Sequence, residues 1–305
     1  MKIVKKSKRW ISQVLFFFAS NPILPNYLKG KIYQGNLKQF CVPTLNCYSC
    51  PAALGACPIG SLQACIGSPA HAIAFYVLGF LFLFGILLGR FICGFLCPFG
   101  LIQDLLYKIK TKKLVIKPSI AKYLSYIKYV ILAVFVIGMP LLLKDDFGSS
   151  NPYFCKLICP QGILEGGLPL IAKNADLRQM LGTLFFSKLT ILIVVVLVSI
   201  FSYRVFCRFI CPLGAIYGLF NKISFYNFSI DSSCIHCRKC EKVCKFGIKT
   251  YENPNSPECI RCNDCVRHCP VNAIKVHHLF GQVGCASCSK QVGCASCSEK
   301  ENLTK

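Results

Sequence analysis

The chain has 305 residues, 54% of them hydrophobic, and its mean hydropathy of +0.53 is too high for an ordinary soluble protein of this length. Its formal net charge is +23, but the basic residues lie in blocks beside apolar segments. That distribution is typical of membrane-protein loops and argues against a nucleic-acid partner. The 23 cysteines have the spacing of metal ligands, which argues against a small secreted disulfide scaffold.

Four apolar segments are predicted to be membrane spans, because a bilayer requires about 20 apolar residues per helix. They cover residues 10–28, 70–90, 123–143 and 181–203. The first contains Asn21, Pro22 and Pro25, which predict a kinked or partly re-entrant helix. A cleaved signal peptide is the alternative for this segment, although no Ala-x-Ala-like site follows it.

Loop charge predicts the orientation. Basic residues crowd residues 2–9 and 108–122, whereas acidic residues balance the bases in the loop after the third span. The positive-inside rule therefore predicts a multi-pass protein of the cell membrane with both termini in the cytoplasm.

The motif Cys-Pro-x-Gly occurs four times, beginning at Cys57, Cys97, Cys159 and Cys211. Proline prefers the first turn of a helix, so each of these cysteines is predicted to be an N-cap. The helix dipole and the free N–H groups there favour an anionic ligand such as an iron–sulfur cluster. Three of the motifs have another cysteine four residues earlier: Cys93, Cys155 and Cys207.

Two of these pairs stand at the cytoplasmic ends of predicted spans. Together they supply four thiolates for a candidate inner site: Cys93, Cys97, Cys207 and Cys211. The alternative is that they are small apolar residues at helix breaks. Repetition of the motif at equivalent depth favours ligation.

The predicted topology brings seven further cysteines to the opposite face: Cys41, Cys47, Cys50, Cys57, Cys65, Cys155 and Cys159. Four of them form a candidate outer site, namely Cys57, Cys155 and Cys159 with either Cys47 or Cys50. The alternative is a pair of extracytoplasmic disulfides, which that compartment permits.

Residues 226–278 contain two consecutive runs of the form Cys-x2-Cys-x2-Cys-x3-Cys. In two-cluster ferredoxins the fourth cysteine of each run binds the cluster of the other run. Cluster A is therefore predicted at Cys234, Cys237, Cys240 and Cys269, and cluster B at Cys259, Cys262, Cys265 and Cys244. A zinc site needs four ligands, so zinc would leave half of these cysteines unexplained.

Residues 279–305 contain a nine-residue segment that is repeated at once with eight positions unchanged. Its two Cys-x-x-Cys pairs are Cys285, Cys288, Cys294 and Cys297. Such pairs bind zinc or an iron–sulfur cluster, or exchange electrons as thiols. The alternative is a recent duplication in a flexible end rich in serine and glycine.

The Arg-x-x-Cys-x-x-x-Cys-Pro motifs at Arg90 and Arg204, followed by the doubled cysteine run, resemble the membrane ferredoxins of the NapH and NosR type. The resemblance covers about residues 70–275. It implies a membrane subunit that passes electrons between a quinol pool or a cytoplasmic donor and an extracytoplasmic partner. It also implies that the eight ferredoxin cysteines and the four cysteines of the inner site are cluster ligands. Residues 41–65 and the tail depart from that pattern.

The sequence thus predicts a polytopic α-helical membrane domain over residues 1–225 and a cytoplasmic, ferredoxin-like α+β domain with two [4Fe–4S] clusters. One or two further iron–sulfur clusters are expected outside that domain. Membrane lipid and redox proteins on one or both faces are the expected partners.

Three functions are open: electron transfer across the membrane, quinol oxidation as an enzyme, and redox sensing or metal handling. Quinol oxidation requires a quinone site and a proton carrier, for which Asp104 and Glu165 are candidates. Alternatively, these acids complement helix dipoles.

Overall fold

The computed structural model describes residues 9–68, 72–114, 116–145, 150–278 and 281–283, which are mostly helical. The α-helices are Arg9–Ser20, Pro25–Lys29, Pro58–Ile66, Ala72–Leu88, Phe91–Phe95, Pro98–Tyr107, Pro118–Ile131, Met139–Leu142, Tyr153–Leu157, Leu168–Lys173, Ala175–Gln179, Thr183–Phe201, Val205–Phe209, Pro212–Phe220, Lys239–Val243 and Asp264–His268. Asn36–Gln39 is a 3₁₀-helix, and Leu132–Gly138 and Gly162–Gly167 are π-helical. The four cysteines of the duplicated tail lie outside the described residues, so their metal site stays a prediction.

Two helices in the described part of the chain are long and apolar enough to cross a membrane, Ser119–Leu142 and Thr183–Phe201. They coincide with the third and fourth predicted spans. The second predicted span contains a 17-residue helix, Ala72–Leu88. The first contains a 12-residue helix, Arg9–Ser20, which ends where Asn21 and Pro22 follow. At about 1.5 Å per residue this helix is shorter than a bilayer core, so a continuous span over residues 10–28 is not observed.

Every Cys-Pro-x-Gly motif begins a helix, as the N-terminal preference of proline predicts. Helices start at Pro58, Pro98 and Pro212, each with an extended cysteine at its N-cap, and the chain is helical from Pro160. In three cases a five-residue helix precedes the cysteine: Phe91–Phe95, Tyr153–Leu157 and Val205–Phe209. The same helix–cysteine–helix unit therefore recurs along the chain.

The ferredoxin region folds as the predicted α+β unit. Its antiparallel sheet has the order β1-β2-β3, with β1 at Asn227–Ile230, β2 at Ile274–His278 and β3 at Gly281–Val283. Phe228 on β1 faces Val276 on β2, and both pack in a small core with Ile274 and Cys265. The β3 strand extends the sheet into the segment predicted as a tail.

The second cysteine run docks on the helices of the inner site. The backbone carbonyl of Ile260 approaches helix Phe91–Phe95 so closely that a Cβ atom on Gly94 would lie 2.3 Å from its oxygen. The buried side chain of Arg261 donates to the carbonyl of Asn221 at 2.6 Å. The amide of Asn221 in turn donates to the carbonyl of Cys259 at 2.8 Å. These contacts fix the second cysteine run, which carries three predicted ligands of cluster B, against the inner site.

An ion-pair network reinforces this contact. Glu258 accepts hydrogen bonds from Arg90, at 3.3 Å, and from Lys128. The side chains of both cations are 0% exposed, whereas that of Glu258 is 21% exposed. Buried cations are costly without a counter-ion, so Glu258 makes their burial tolerable.

We expect Glu258→Ala to destabilise the protein by about 3 kcal/mol, because it leaves two buried cations without their carboxylate. Glu252→Ala is the matched control, since it breaks an exposed pair with Lys249, and it should change stability by less than about 1 kcal/mol. The apparent melting temperature in detergent, with iron content per chain, checks both. Equal shifts for the two variants would contradict the role given to Glu258.

Candidate iron–sulfur centres

The four predicted ligands of cluster A line one small cavity in the ferredoxin region: Cys234, Cys237, Cys240 and Cys269. Three come from the first run and one from the second, as the crossed pattern predicts. Cys237 is exposed, and Cys269 accepts a hydrogen bond from the backbone N–H of Ala273 at 3.3 Å. This centre therefore lies at the surface of the ferredoxin region.

The predicted ligands of cluster B also lie together. Burial raises the pKa of the Cys265 thiol, and the nearby thiols of Cys259, Cys262 and Cys244 raise it further. The sulfur of Cys259 accepts a hydrogen bond from the backbone N–H of Arg261 at 3.4 Å. Cys244 of the first run thus joins three cysteines of the second.

The four cysteines of the inner site meet in the interior and are only 4–7% exposed. Burial raises the pKa of Cys211, and the neighbouring thiols of Cys207, Cys93 and Cys97 raise it further. The site joins the ends of two long helices that are far apart in sequence.

Two buried arginines cross between the halves of the inner site. Arg90 donates to the carbonyl of Cys207 at 2.9 Å, and Arg204 donates to the carbonyl of Cys93 at 2.6 Å. Arg90 thus binds the cysteine motif that follows Arg204, and Arg204 binds the motif that follows Arg90. The sequence shows an arginine three residues before each first cysteine, but it does not reveal this exchange.

The glycine of each inner Cys-Pro-x-Gly motif makes room for this exchange. A Cβ atom on Gly100 would lie 3.1 Å from the guanidinium of Arg204, and one on Gly214 would lie 3.3 Å from that of Arg90. A side chain at either position would therefore crowd the arginine that ties the two halves together.

Asp104 is the counter-ion of Arg204. Its carboxylate accepts two hydrogen bonds from Arg204, at 2.8 and 2.7 Å, and one from Arg9 at 2.6 Å. Burial alone would raise the pKa of Asp104, but the two guanidinium groups outweigh it and hold the pKa at about 2. The carboxylate is thus held in its ionised form, which argues against the candidate role of Asp104 as a proton carrier.

The outer site surrounds a cavity of about 1090 Å³, lined among others by Cys47, Cys57, Cys155 and Cys159. Burial raises the pKa of Cys155 well above its usual range, and the thiols of Cys159, Cys57 and Cys47 raise it further. These four thiols therefore lie close to one another on the cavity wall.

Cys50 does not join this group. Its thiol contacts the hydroxyl of Tyr27 at 2.9 Å and does not line the cavity. It packs in a small core with Ala52 and Ala53, against which Cys47 also packs. Cys47 lies beside the motif of Cys159, because a Cβ atom on Gly162 would be 3.7 Å from its sulfur. Ala53 stands four residues before Cys57, where the other motifs have cysteine. Cys47 therefore provides the thiol that a cysteine at position 53 would provide in the regular motif.

Glu165 holds this segment in place. Its carboxylate accepts a hydrogen bond from the backbone N–H of Cys47 at 3.0 Å. Burial raises the pKa of Glu165 to about 7, although that N–H group lowers it. Unlike Asp104, Glu165 can gain or lose a proton near neutral pH.

The residues of the outer and inner sites fit iron–sulfur clusters. All nineteen described cysteines are free thiols. Burial raises the pKa of Cys47 and Cys57 to about 12 and that of Cys207 to about 11, so their thiolate forms need a bound cation such as iron. The amide of Gln161 on the outer cavity wall has no hydrogen-bond partner among the described residues, and a cluster sulfur would accept from it.

In the described part of the chain, no group of three or more metal-binding side chains converges as a single metal ion requires. A cubane cluster does not need such convergence, because each of its four thiolates binds a different iron.

Comparison with known proteins supports the binding of [4Fe–4S] clusters. A 4Fe-4S binding domain family matches residues 70–117, 129–173 and 184–229, and a second 4Fe-4S binding domain family matches residues 255–275. An uncharacterized protein of Methanocaldococcus jannaschii, MJ0750, is 30% identical over 201 residues, which are 64% of this chain and 75% of that protein. The chain belongs to the NapH/NosR-type family of 4Fe-4S proteins.

Two further relatives are named after electron transport and regulation. YccM of Escherichia coli (strain K12), whose name refers to electron transport, is 29% identical over 66% of this chain and 54% of its own length. The regulatory protein NosR of Stutzerimonas stutzeri is 25% identical over 57% of this chain. The chain spans about half the length of YccM and 22% of NosR. No solved structure matches the chain.

The different surroundings of Cys47 and Cys50 give a direct test of the outer site. With clusters at all four centres, anaerobically purified protein should contain about sixteen irons per chain. Cys47→Ser should lower this by about four, whereas Cys50→Ser should leave it unchanged. Iron and acid-labile sulfide assays measure both, and loss of iron on replacing Cys50 would overturn the assignment.

Proposed function

We propose that this chain is a membrane-bound iron–sulfur protein that transfers electrons between a cytoplasmic or quinone-pool donor and an acceptor at the opposite face. The observation that carries the proposal is the packing of the four groups of cysteines in two buried cores, both of which include the second cysteine run. Electron tunnelling decays steeply with distance, so such a role requires centres that follow one another closely.

One buried core supports three of the four centres. It contains Cys159 of the outer site, all four cysteines of the inner site, and the partly buried Cys244 and Cys262 of cluster B. A second core brings Cys240 and Cys269 of cluster A together with Cys259 and Cys265 of cluster B. The order that follows is cluster A, cluster B, inner site, outer site.

One-electron transfer is the chemistry that [4Fe–4S] clusters supply when bound. The chain contributes burial, hydrogen bonds to sulfur and nearby charge. The guanidinium groups of Arg90, Arg204 and Arg261 are 0% exposed around the inner site and cluster B. Their positive charge favours the more negative, reduced state of each centre.

Exposed apolar surface supports the membrane location. On helix Thr183–Phe201, Phe186, Ile193 and Leu197 are 49–56% exposed, and on helix Ala72–Leu88 Phe82 is 53% exposed. An exposed apolar surface of this extent is unfavourable in water and marks a contact with another molecule. Long apolar helices favour lipid as that molecule. Both termini and the ferredoxin region are then cytoplasmic by the positive-inside rule.

Sealed vesicles containing the protein test the proposal. With dithionite outside and ferricyanide inside, the internal oxidant should be reduced well above the rate of protein-free vesicles. Cys159→Ser should abolish this reaction, because it removes an outer ligand, whereas Cys50→Ser should not. A wild-type rate no higher than that of protein-free vesicles would overturn the proposal.

Quinol oxidation is a second candidate function. The outer cavity is as large as the pockets that bind small molecules, and it is lined by Phe40, Tyr76 and Lys188 as well as by the cysteines. Glu165 lies behind Cys47 and has a pKa near 7. Glu165 does not itself line the cavity, but it contacts Cys47 on the cavity wall and could take up a proton released by a quinol there.

Replacing Glu165 separates this candidate from simple electron transfer. Glu165→Gln should slow reduction of the protein by a quinol about a hundredfold, because it removes the proton acceptor. Reduction by dithionite should be unchanged. Glu252→Gln, at an exposed carboxylate, is the control. Equal quinol-dependent rates in wild type and Glu165→Gln would count against quinol oxidation at this cavity.

Redox sensing or metal handling by the tail remains a prediction of the sequence alone, because its cysteines lie outside the described residues.

A further inference from the structure

The sixth residue after the cysteine of each Cys-Pro-x-Gly motif is buried and binds a distant segment. These residues are Gln63, Gln103, Glu165 and Tyr217. Glu165 and Tyr217 bind backbone groups, the N–H of Cys47 and the carbonyl of Pro43. The two glutamines instead reach a cysteine sulfur, one in each site.

In the inner site, the side-chain amide nitrogen of Gln103 donates to the sulfur of Cys207 at 3.0 Å. Its amide oxygen accepts from the backbone N–H of Phe206 at 3.1 Å. The second bond fixes the orientation of the amide, because only its oxygen can accept. The NH₂ group is thereby directed to the sulfur.

The outer site repeats the arrangement. The amide nitrogen of Gln63 donates to the sulfur of Cys155 at 3.4 Å, and its oxygen accepts from the backbone N–H of Phe154 at 2.9 Å. In both sites the cysteine is the first of its Cys-x3-Cys pair, and the N–H belongs to the residue just before it. Two copies of one geometry, 40 positions apart for the glutamines, indicate a common role.

We infer that Gln63 and Gln103 are positioning residues that donate to a ligand sulfur and raise the reduction potential of the outer and inner centre, respectively. A centre that gains one electron places more negative charge on its sulfurs. An N–H donor therefore stabilises the reduced form more than the oxidised form. The inference rests on the proposed clusters at these two sites.

Substitution of one glutamine at a time tests the inference. Gln103→Leu should shift the midpoint potential of the inner centre downward and leave the outer centre unchanged, and Gln63→Leu should do the reverse. Each variant is the matched control for the other, and clusters A and B are internal references. EPR-monitored redox titration of anaerobically purified protein measures all four potentials.

Gln103→Glu at acidic pH separates the sulfur bond from a merely structural role without a change of charge. A protonated glutamate can accept from the N–H of Phe206 and donate its O–H to Cys207, so the iron-replete variant should keep a potential close to that of wild type. Gln103→Met is neutral and similar in size but cannot donate, so it should lower the potential even if the Leu variant loses iron. A wild-type potential in the iron-replete Met variant would overturn the inference.

Iron content distinguishes this inference from the proposed function. Unchanged potentials in variants with full iron would overturn only the role of the glutamines. A wild-type content of about eight irons per chain, two cubanes, would overturn the clusters at both sites and the inference with them.

Discussion

The described structure depends on two fully buried guanidinium groups, those of Arg90 and Arg204, which exchange partners across the inner site. A buried cation is stable only when it is paired and its N–H groups are bonded. Each arginine is paired with one carboxylate, Glu258 or Asp104, and donates to the carbonyl of a cysteine from the other motif. The Nε–H of Arg90 has no hydrogen-bond partner among the described residues. Neither half of the site can satisfy its arginine alone. The exchange therefore ties the two motifs together through contacts of the protein itself.

Arg90 links the inner site to the ferredoxin region as well. Arg90 also donates to the carbonyl of Pro257 at 2.8 Å, next to its counter-ion Glu258 and the first ligand of cluster B, Cys259. A movement of the ferredoxin region away from the helices would leave Arg90 without these partners. Contact between the two centres is thus enforced by the cost of leaving a buried charge unpaired. An electron carrier needs such rigidity because its rate depends on the separation of its centres.

Local rules predicted much of this arrangement. The N-cap position of the motif cysteines follows from the proline after them, and the crossed pairing of clusters A and B follows from spacing. The surroundings of individual side chains depend on long-range packing, which these local rules do not describe. Cys47 and Cys50 are equivalent in sequence, and only the fold turns Cys50 toward Tyr27. Asp104 carries no sign in the sequence that Arg9 and Arg204 hold it ionised. The short first helix shows that hydrophobicity alone overestimates a span when prolines interrupt it.

The inner and outer sites share their motifs but differ in electrostatics. The carboxylate beside the inner site, Asp104, has a pKa of about 2 and keeps its charge at any physiological pH. The carboxylate beside the outer site, Glu165, has a pKa of about 7, because burial raises the pKa and one backbone N–H group lowers it only in part. Negative charge near the outer centre therefore increases as the pH rises through neutrality, while that near the inner centre stays constant. In the electron-transfer role that we propose, a negative neighbour would disfavour the reduced state of an outer cluster. Proton uptake at Glu165 and electron arrival at the outer site would then assist each other. Such coupling would be confined to the outer site, because the charges beside the inner site are fixed.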